Sequence, residues 1–114
     1  MKKDILVYID DIIESIDKIE EYANRITEED FERLESIQDA VLMRLAVIGE
    51  SANKIPINIR KEHPEIPWRK IINLRNIIVH DYSSININRI WKIIKKDILL
   101  LKAQVEKLSS NISS

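Results

Sequence analysis

Apolar residues recur at three- and four-residue intervals along most of the chain. From Asp4 to Arg25 the stripe is Ile5, Ile9, Ile12, Ile13, Ile16, Ile19 and Tyr22, while Asp10, Asp11, Glu14, Asp17, Lys18 and Glu21 occupy the opposite side. That period marks an amphipathic helix with one face turned to a core. A second helix is predicted over Ser36–Lys54, with Ile37, Val41, Leu42, Leu45, Ile48 and Ala52 on its buried stripe. A third starts near Pro67, a residue suited to the first helical position. It carries Ile71, Ile72, Leu74, Ile78 and Val79 and ends near His80. The last begins at Asn86 or Asn88 and runs to about Leu108 through Ile90, Trp91, Ile94, Ile98, Leu101 and Val105.

The intervening stretches read as connections. In "TEEDF", Thr27–Phe31, the threonine is a candidate N-cap and the acids suit the positive end of a helix dipole, so a short helix or turn is expected. "KIPINIRKEHPEIPW" holds all three prolines and reads as a connector with room for one helical turn. "DYSSIN" is a loop with cap candidates, and "SSNISS" a frayed tail. Four main helices with short connections predict an all-α fold, an antiparallel bundle of four to five helices. Residues 1–108 form its single domain and residues 109–114 the tail.

Composition narrows this further. At 114 residues the chain holds one core, or half of an obligate dimer. One glycine and three prolines leave little for the turns of an all-β fold. The lone glycine, Gly49, interrupts a helical pattern and marks close helix packing. Cysteine is absent, which excludes disulfides and thiolate metal sites and fits a reducing, cytoplasmic setting. Apolar runs are short, as at Ile98–Leu101, so no membrane span of about 20 residues is expected. The start, "MKKDILVYIDD", opens like a signal peptide, but Asp4, Asp10 and Asp11 break it up, and it reads as the beginning of the first helix.

Charge is segregated. Residues 1–53 carry a net −8 and residues 54–96 a net +7, although the whole chain sums to −1. The middle of the chain can therefore build a cationic surface, with Arg60, Lys61, Arg69 and Lys70 as candidates to hold a nucleic-acid backbone. Mutual neutralisation of packed acidic and basic helices is the other reading of the same asymmetry.

Polar residues cluster at the end of the third helix, in "RNIIVHDY". Ile77, Ile78 and Val79 are expected to anchor the helix in the bundle, with Arg75, Asn76, His80 and Tyr82 at its rim. Arg75 and His80, five apart, point about 140° away from one another on an ideal helix. Either the helix ends before His80 or a site using both is assembled from two chains. Asn76 and His80 share a face, so Asn76 could hydrogen-bond the imidazole. The C-terminal end of a helix favours imidazolium, and Tyr82 lies beyond it in the loop with its hydroxyl exposed. Capping and surface pairing with acids such as Asp81 would use the same residue types. With two histidines, His63 and His80, a metal site is not expected. A Ser83/His80/Asp81 triad is disfavoured because near-neighbours on a loop rarely hold that geometry. Trp68 and Trp91 suit a core or dimer contact better than a base-stacking platform.

The stretch "IPWRKIINLRNIIVHDY" resembles the signature of the HEPN superfamily, in particular the HepT-like toxins. Its pattern of Arg, four residues, His, one residue, Tyr is met by Arg75, His80 and Tyr82, with the polar Asn76 after the arginine. "IQDAVLMRLAVIGESANKIP" and "HPEIPW" are similar to the family's second helix and connector. The resemblance implies a homodimeric helical bundle acting as the ribonuclease toxin of a type II toxin–antitoxin pair, its site in a cleft shared by two chains. It also implies a minimal nucleotidyltransferase antitoxin as partner, which transfers AMP from ATP to the motif tyrosine, here Tyr82. Arg75 and His80 would be catalytic, Asn76 supporting, and no cofactor is required. RNA would be cut without metal by its own 2′-hydroxyl, with His80 moving the proton and Arg75 holding the phosphate. Non-catalytic HEPN modules that bind a nucleotidyltransferase or a nucleotide form the alternative class.

Overall fold

A computed structural model describes residues 2–114. Helix α1 (Lys2–Ala23) is followed by the short α2 (Glu28–Arg33) and the long α3 (Glu35–Lys54). A one-and-a-half-turn α4 (Ile57–Glu62) precedes α5 (Trp68–His80) and a 3-10 turn at Tyr82–Ser84. The last limb is one continuous rod: α6 (Ile87–Lys92), a π turn (Ile93–Asp97) and α7 (Ile98–Ser113). No strand occurs among the described residues. The expected all-α bundle is what the chain forms.

Side-chain pairings set the helix directions. Lys54 lies over the Tyr8 ring, so the end of α3 meets the start of α1. Arg75 pairs with Glu50 and Tyr82 with Asp39, so α5 runs antiparallel to α3. Lys102 meets Asp17 and Glu20, and Lys95 donates to the carbonyl of Ala23, so the last limb runs back along α1. Ile9, Ile12, Ile16 and Ile19 of α1, Val41 and Ile48 of α3, and Val105 and Leu108 of α7 are at most 2% exposed and form the aliphatic core. Each such side chain contributes about 1.5–3 kcal/mol by leaving water.

The connections are fastened locally. Thr27 and Asp30 form a reciprocal capping box: the Asp30 N–H donates to Thr27 Oγ1 and the Thr27 N–H to Asp30 Oδ2, both at 3.1 Å. The Thr27 backbone N–H thereby holds the Asp30 carboxyl below its ordinary range. Gln38 donates to the carbonyls of Phe31 and Glu32, closing the α2–α3 corner. In the proline-rich connector, Arg60 Nε donates to the Ile55 carbonyl at 2.9 Å and Trp68 Nε1 to that of His63 at 3.0 Å. Trp68 and Trp91 are both buried, the latter against Phe31 with ring centroids 5.3 Å apart. Asn86 caps α6 by accepting from the Arg89 N–H.

Two expectations change. The last helix does not stop near Leu108 but continues to Ser113, because Ile112 still packs partly against the core and gives the final turn a buried face. Ile77, Ile78 and Val79 do not jointly anchor α5. Only Ile78 is buried, whereas Ile77 is 42% and Val79 50% exposed. Three consecutive helical residues sweep about 200°, so only one of them can face α3.

Candidate active site

Helix α5 lies on α3 and leaves an open groove of about 770 Å³ between itself and the α6–α7 limb. Ile71, Leu74 and Ile77 form the α5 wall, with Ile93, Ile98 and Leu101 opposite and Lys70 and Arg89 on the rim. The motif residues sit along the rest of α5 and in the turn beyond it.

Gly49 sets the spacing between α3 and α5. A Cβ placed there would lie 2.2 Å from Arg75 Cβ and 2.9 Å from the Ile71 carbonyl oxygen. The expectation of close packing at this glycine holds, and the neighbour it admits is Arg75. The guanidinium is then held at both terminal nitrogens. Arg75 Nη2 pairs with Glu50 Oε2 at 2.9 Å, and Nη1 donates to Asn76 Oδ1 at 3.0 Å. Its side chain remains 29% exposed.

Asn76 thus supports Arg75 and not, as its helix face suggested, His80. The imidazole is exposed, with no hydrogen bond or ion pair among the described residues. Tyr82 opens the 3-10 turn after α5 and is 55% exposed, yet its hydroxyl is engaged. It donates to Asp39 Oδ1 at 2.8 Å. That hydrogen bond to Asp39, followed by partial desolvation and by the negative charges of Asp39 and Glu35, pushes the phenol above its ordinary value. A neutral donor is what a carboxylate partner stabilises. Asp81 accepts from the Ser84 hydroxyl, which closes the turn.

Sequence reasoning missed Glu50 and Asp39, the two acids of α3 that hold Arg75 and Tyr82. They are eleven residues apart, about three helical turns, and so share one face. The spacing puts them on one face of α3, and only the tertiary packing turns that face to α5.

The four basic candidates are placed differently. Arg60 is half-buried and its Nε is committed to the Ile55 carbonyl, while Lys61, Arg69 and Lys70 are exposed. His63 is paired with Glu65 at 3.4 Å in the connector and is not part of the motif cluster. Among the described residues no group of three His, Asp or Glu side chains could hold a metal ion, and no helix is long and apolar enough to cross a membrane.

The chain is similar to known proteins over most of its length. The family model described as "Ribonuclease HepT-like" matches residues 12–108. A protein of Thermococcus cleftensis named "Probable ribonuclease HepT" is 40% identical over 108 residues, covering 95% of this chain and 98% of that one. A protein of Methanocaldococcus jannaschii named "Gamma-glutamylcyclotransferase and putative RNase" is 36% identical over 112 residues, covering 98% of this chain but 50% of its own length. A third relative, a "Putative RNase" of the same organism, is 34% identical over 105 residues, 92% of this chain and 96% of that one. No solved structure gives a significant match. The chain spans half the length of the two-part relative and nearly all of the other two. The motif side chains on α5 and beyond it therefore lie in a member of the HepT-like ribonuclease family.

Proposed function

We propose that this chain is a metal-independent endoribonuclease whose site is completed by a second copy of itself. The observation that carries the reading is the orientation of two groups on α5. Glu50 holds Arg75 toward α3, while His80, exposed and unpaired among the described residues, lies about 140° around an ideal helix from it. One copy cannot bring both to a single phosphate, and two copies facing across α5 can. The half-exposed Ile77 and Val79 supply apolar surface for such a contact.

The chemistry follows from the groups. The RNA 2′-hydroxyl attacks the adjacent phosphorus, the 5′-oxygen leaves, and a 2′,3′-cyclic phosphate remains. His80 suits the proton transfers, because an imidazole can both accept and donate a proton. Arg75 stays protonated and its planar fork meets two phosphate oxygens. Lys61, Arg69 and Lys70 hold the backbone, with a smaller share for Arg60, whose Nε is already used. DNA lacks the nucleophile and is inert.

As a toxin of a type II pair, the protein would be silenced by a minimal nucleotidyltransferase that transfers AMP to Tyr82. The added phosphate would place negative charge and bulk beside the motif. The Asp39 hydrogen bond keeps the Tyr82 hydroxyl at a fixed, accessible place on the surface. A purified-protein assay tests the whole reading. Cleavage in EDTA that leaves 2′,3′-cyclic phosphate ends, and fails in His80→Ala, is the expected result. Wild-type cleavage by His80→Ala would sink the catalytic assignment. Incubation with the partner and ATP should add one or more AMP masses to wild type and none to Tyr82→Phe. Complete absence of cleavage, with retained binding to the partner, would favour a non-catalytic module.

A further inference from the structure

We propose that Glu50 is a positioning residue for Arg75, orienting the guanidinium that meets the RNA phosphate. The inference rests on the reading that Arg75 carries that charge. Three features converge on this one side chain. Gly49 brings the α3 backbone under the first carbons of Arg75, so closely that a Cβ would stand 2.2 Å from Arg75 Cβ and 3.0 Å from Cγ. The stem therefore has no room to swing toward α3. Beyond it, Glu50 Oε2 holds Nη2 at 2.9 Å, and Asn76 Oδ1 holds Nη1 at 3.0 Å.

Arginine offers five N–H donors, and these two contacts use two of them. Three donors stay available, on a side chain that is 29% exposed. The guanidinium is thus pinned without being consumed. A charge already ordered before substrate arrives needs no reorganisation as the extra negative charge develops on the phosphate. Glu50 belongs to α3, close to its C-terminal end, whereas Asn76 lies on α5 itself and moves with Arg75. Only the Glu50 contact fixes the guanidinium relative to the rest of the bundle.

The carboxylate also lowers the net charge that an approaching phosphate meets. Ground-state attraction must then come from the exposed basic residues rather than from Arg75. Loss of Glu50 should accordingly lower kcat while leaving KM nearly unchanged. A masking role, in which Glu50 blocks Arg75 until it is displaced, would give the opposite sign.

The experiment compares Glu50→Ala, Glu50→Gln, Arg75→Ala and the double variant Glu50→Ala/Arg75→Ala by steady-state cleavage of a short RNA. We expect kcat to fall about tenfold or more in Glu50→Ala, with KM within about twofold. Glu50→Gln should fall less, because its amide oxygen still accepts from Nη2. The double variant should be no slower than Arg75→Ala, since both substitutions remove one coupled unit. The Glu50 side chain is 44% exposed, so thermal midpoints should hardly move. Cleavage by Glu50→Ala at or above the wild-type rate, with Arg75→Ala inactive, would overturn the positioning role alone. Multiplicative losses in the double variant would overturn it as well. Full activity of Arg75→Ala would instead remove the assignment of Arg75, and the role of Glu50 with it.

Discussion

Between α1 and the last limb the contact is aliphatic and sealed, whereas the seam of α3 with α5 and its following turn adds two polar pairings to a thinner apolar layer. On the first side Ile9, Ile12, Ile16, Ile19, Val105 and Leu108 are sealed from water, and Lys102 closes the edge by pairing with Asp17 and Glu20. On the second, α5 buries Trp68 and Ile78, packs Ile71, Ile72 and Leu74 partly against the core, and is fastened further by Arg75 to Glu50 and, from the turn beyond it, by Tyr82 to Asp39. Aliphatic burial is non-directional and supplies stability. Charged and hydrogen-bonded contacts fix direction but add little net free energy at a surface. The molecule thus separates the part that keeps it folded from the part that aims side chains.

Substitutions on the two sides should have different readouts. The largest effect belongs to the aimed side: His80→Ala should lower RNA cleavage by about 10²–10⁴-fold, with an unchanged urea midpoint. Ile16→Ala on the sealed side should cost about 2–5 kcal/mol of stability, measured by urea unfolding, while cleavage per folded molecule stays at the wild-type level. If cleavage fell as steeply as stability, the separation would be wrong.

Gly49→Ala tests the seam between the two. The added Cβ meets Arg75 Cβ and the Ile71 carbonyl, so overpacking should cost about 1–3 kcal/mol. The better helix propensity of alanine returns up to about 1 kcal/mol of that. Cleavage should fall more than stability, since the clash falls on the arginine stem.

A smaller effect concerns pH. Because the Asp39 contact raises the Tyr82 phenol, its contribution to stability is full below about pH 10 and is lost as pH rises through the raised folded value. Phenolate absorbance should show Tyr82 titrating late, a component absent from Tyr82→Phe. Asp39→Asn should bring that tyrosine back toward its ordinary value. The smallest change expected in the monomer is that of Ile77→Ala, within about 0.5 kcal/mol. The same substitution should weaken self-association in sedimentation if the α5 face meets a second copy.

The sequence carried most of the scaffold because scaffold information is local. The Ile5 to Ile19 stripe, the Thr27 cap and the glycine-marked close approach are each written within a few residues. Ile77 and Val79 read as anchors on residue type alone, yet with Ile78 they sweep about 200° of the helix and cannot share its buried face. The candidate site was half legible. Arg75, His80 and Tyr82 stand together in one motif, but their partners Glu50 and Asp39 lie 25 and 43 residues away. Which face of α3 turns toward α5 is a tertiary outcome, and no local rule supplies it.

The π turn at Ile93–Asp97 has a consequence for how this chain tolerates change. Its closing bond runs from the Ile98 N–H to the Ile93 carbonyl, five residues back, so the last limb holds one residue more than a regular helix would. A π turn carries five residues around the axis by about as much as a regular helix carries four, so the added residue is absorbed locally. Leu101, Val105 and Leu108 therefore stay turned to the core, and Lys102 to its acids, although the limb holds one residue more. Deleting one residue within Ile93–Asp97 should regularise the hydrogen bonding and keep the downstream faces in register, whereas the same deletion inside α7 would turn everything after it by about 100°. The π turn is thus the place in the rod where a change of length can be taken up.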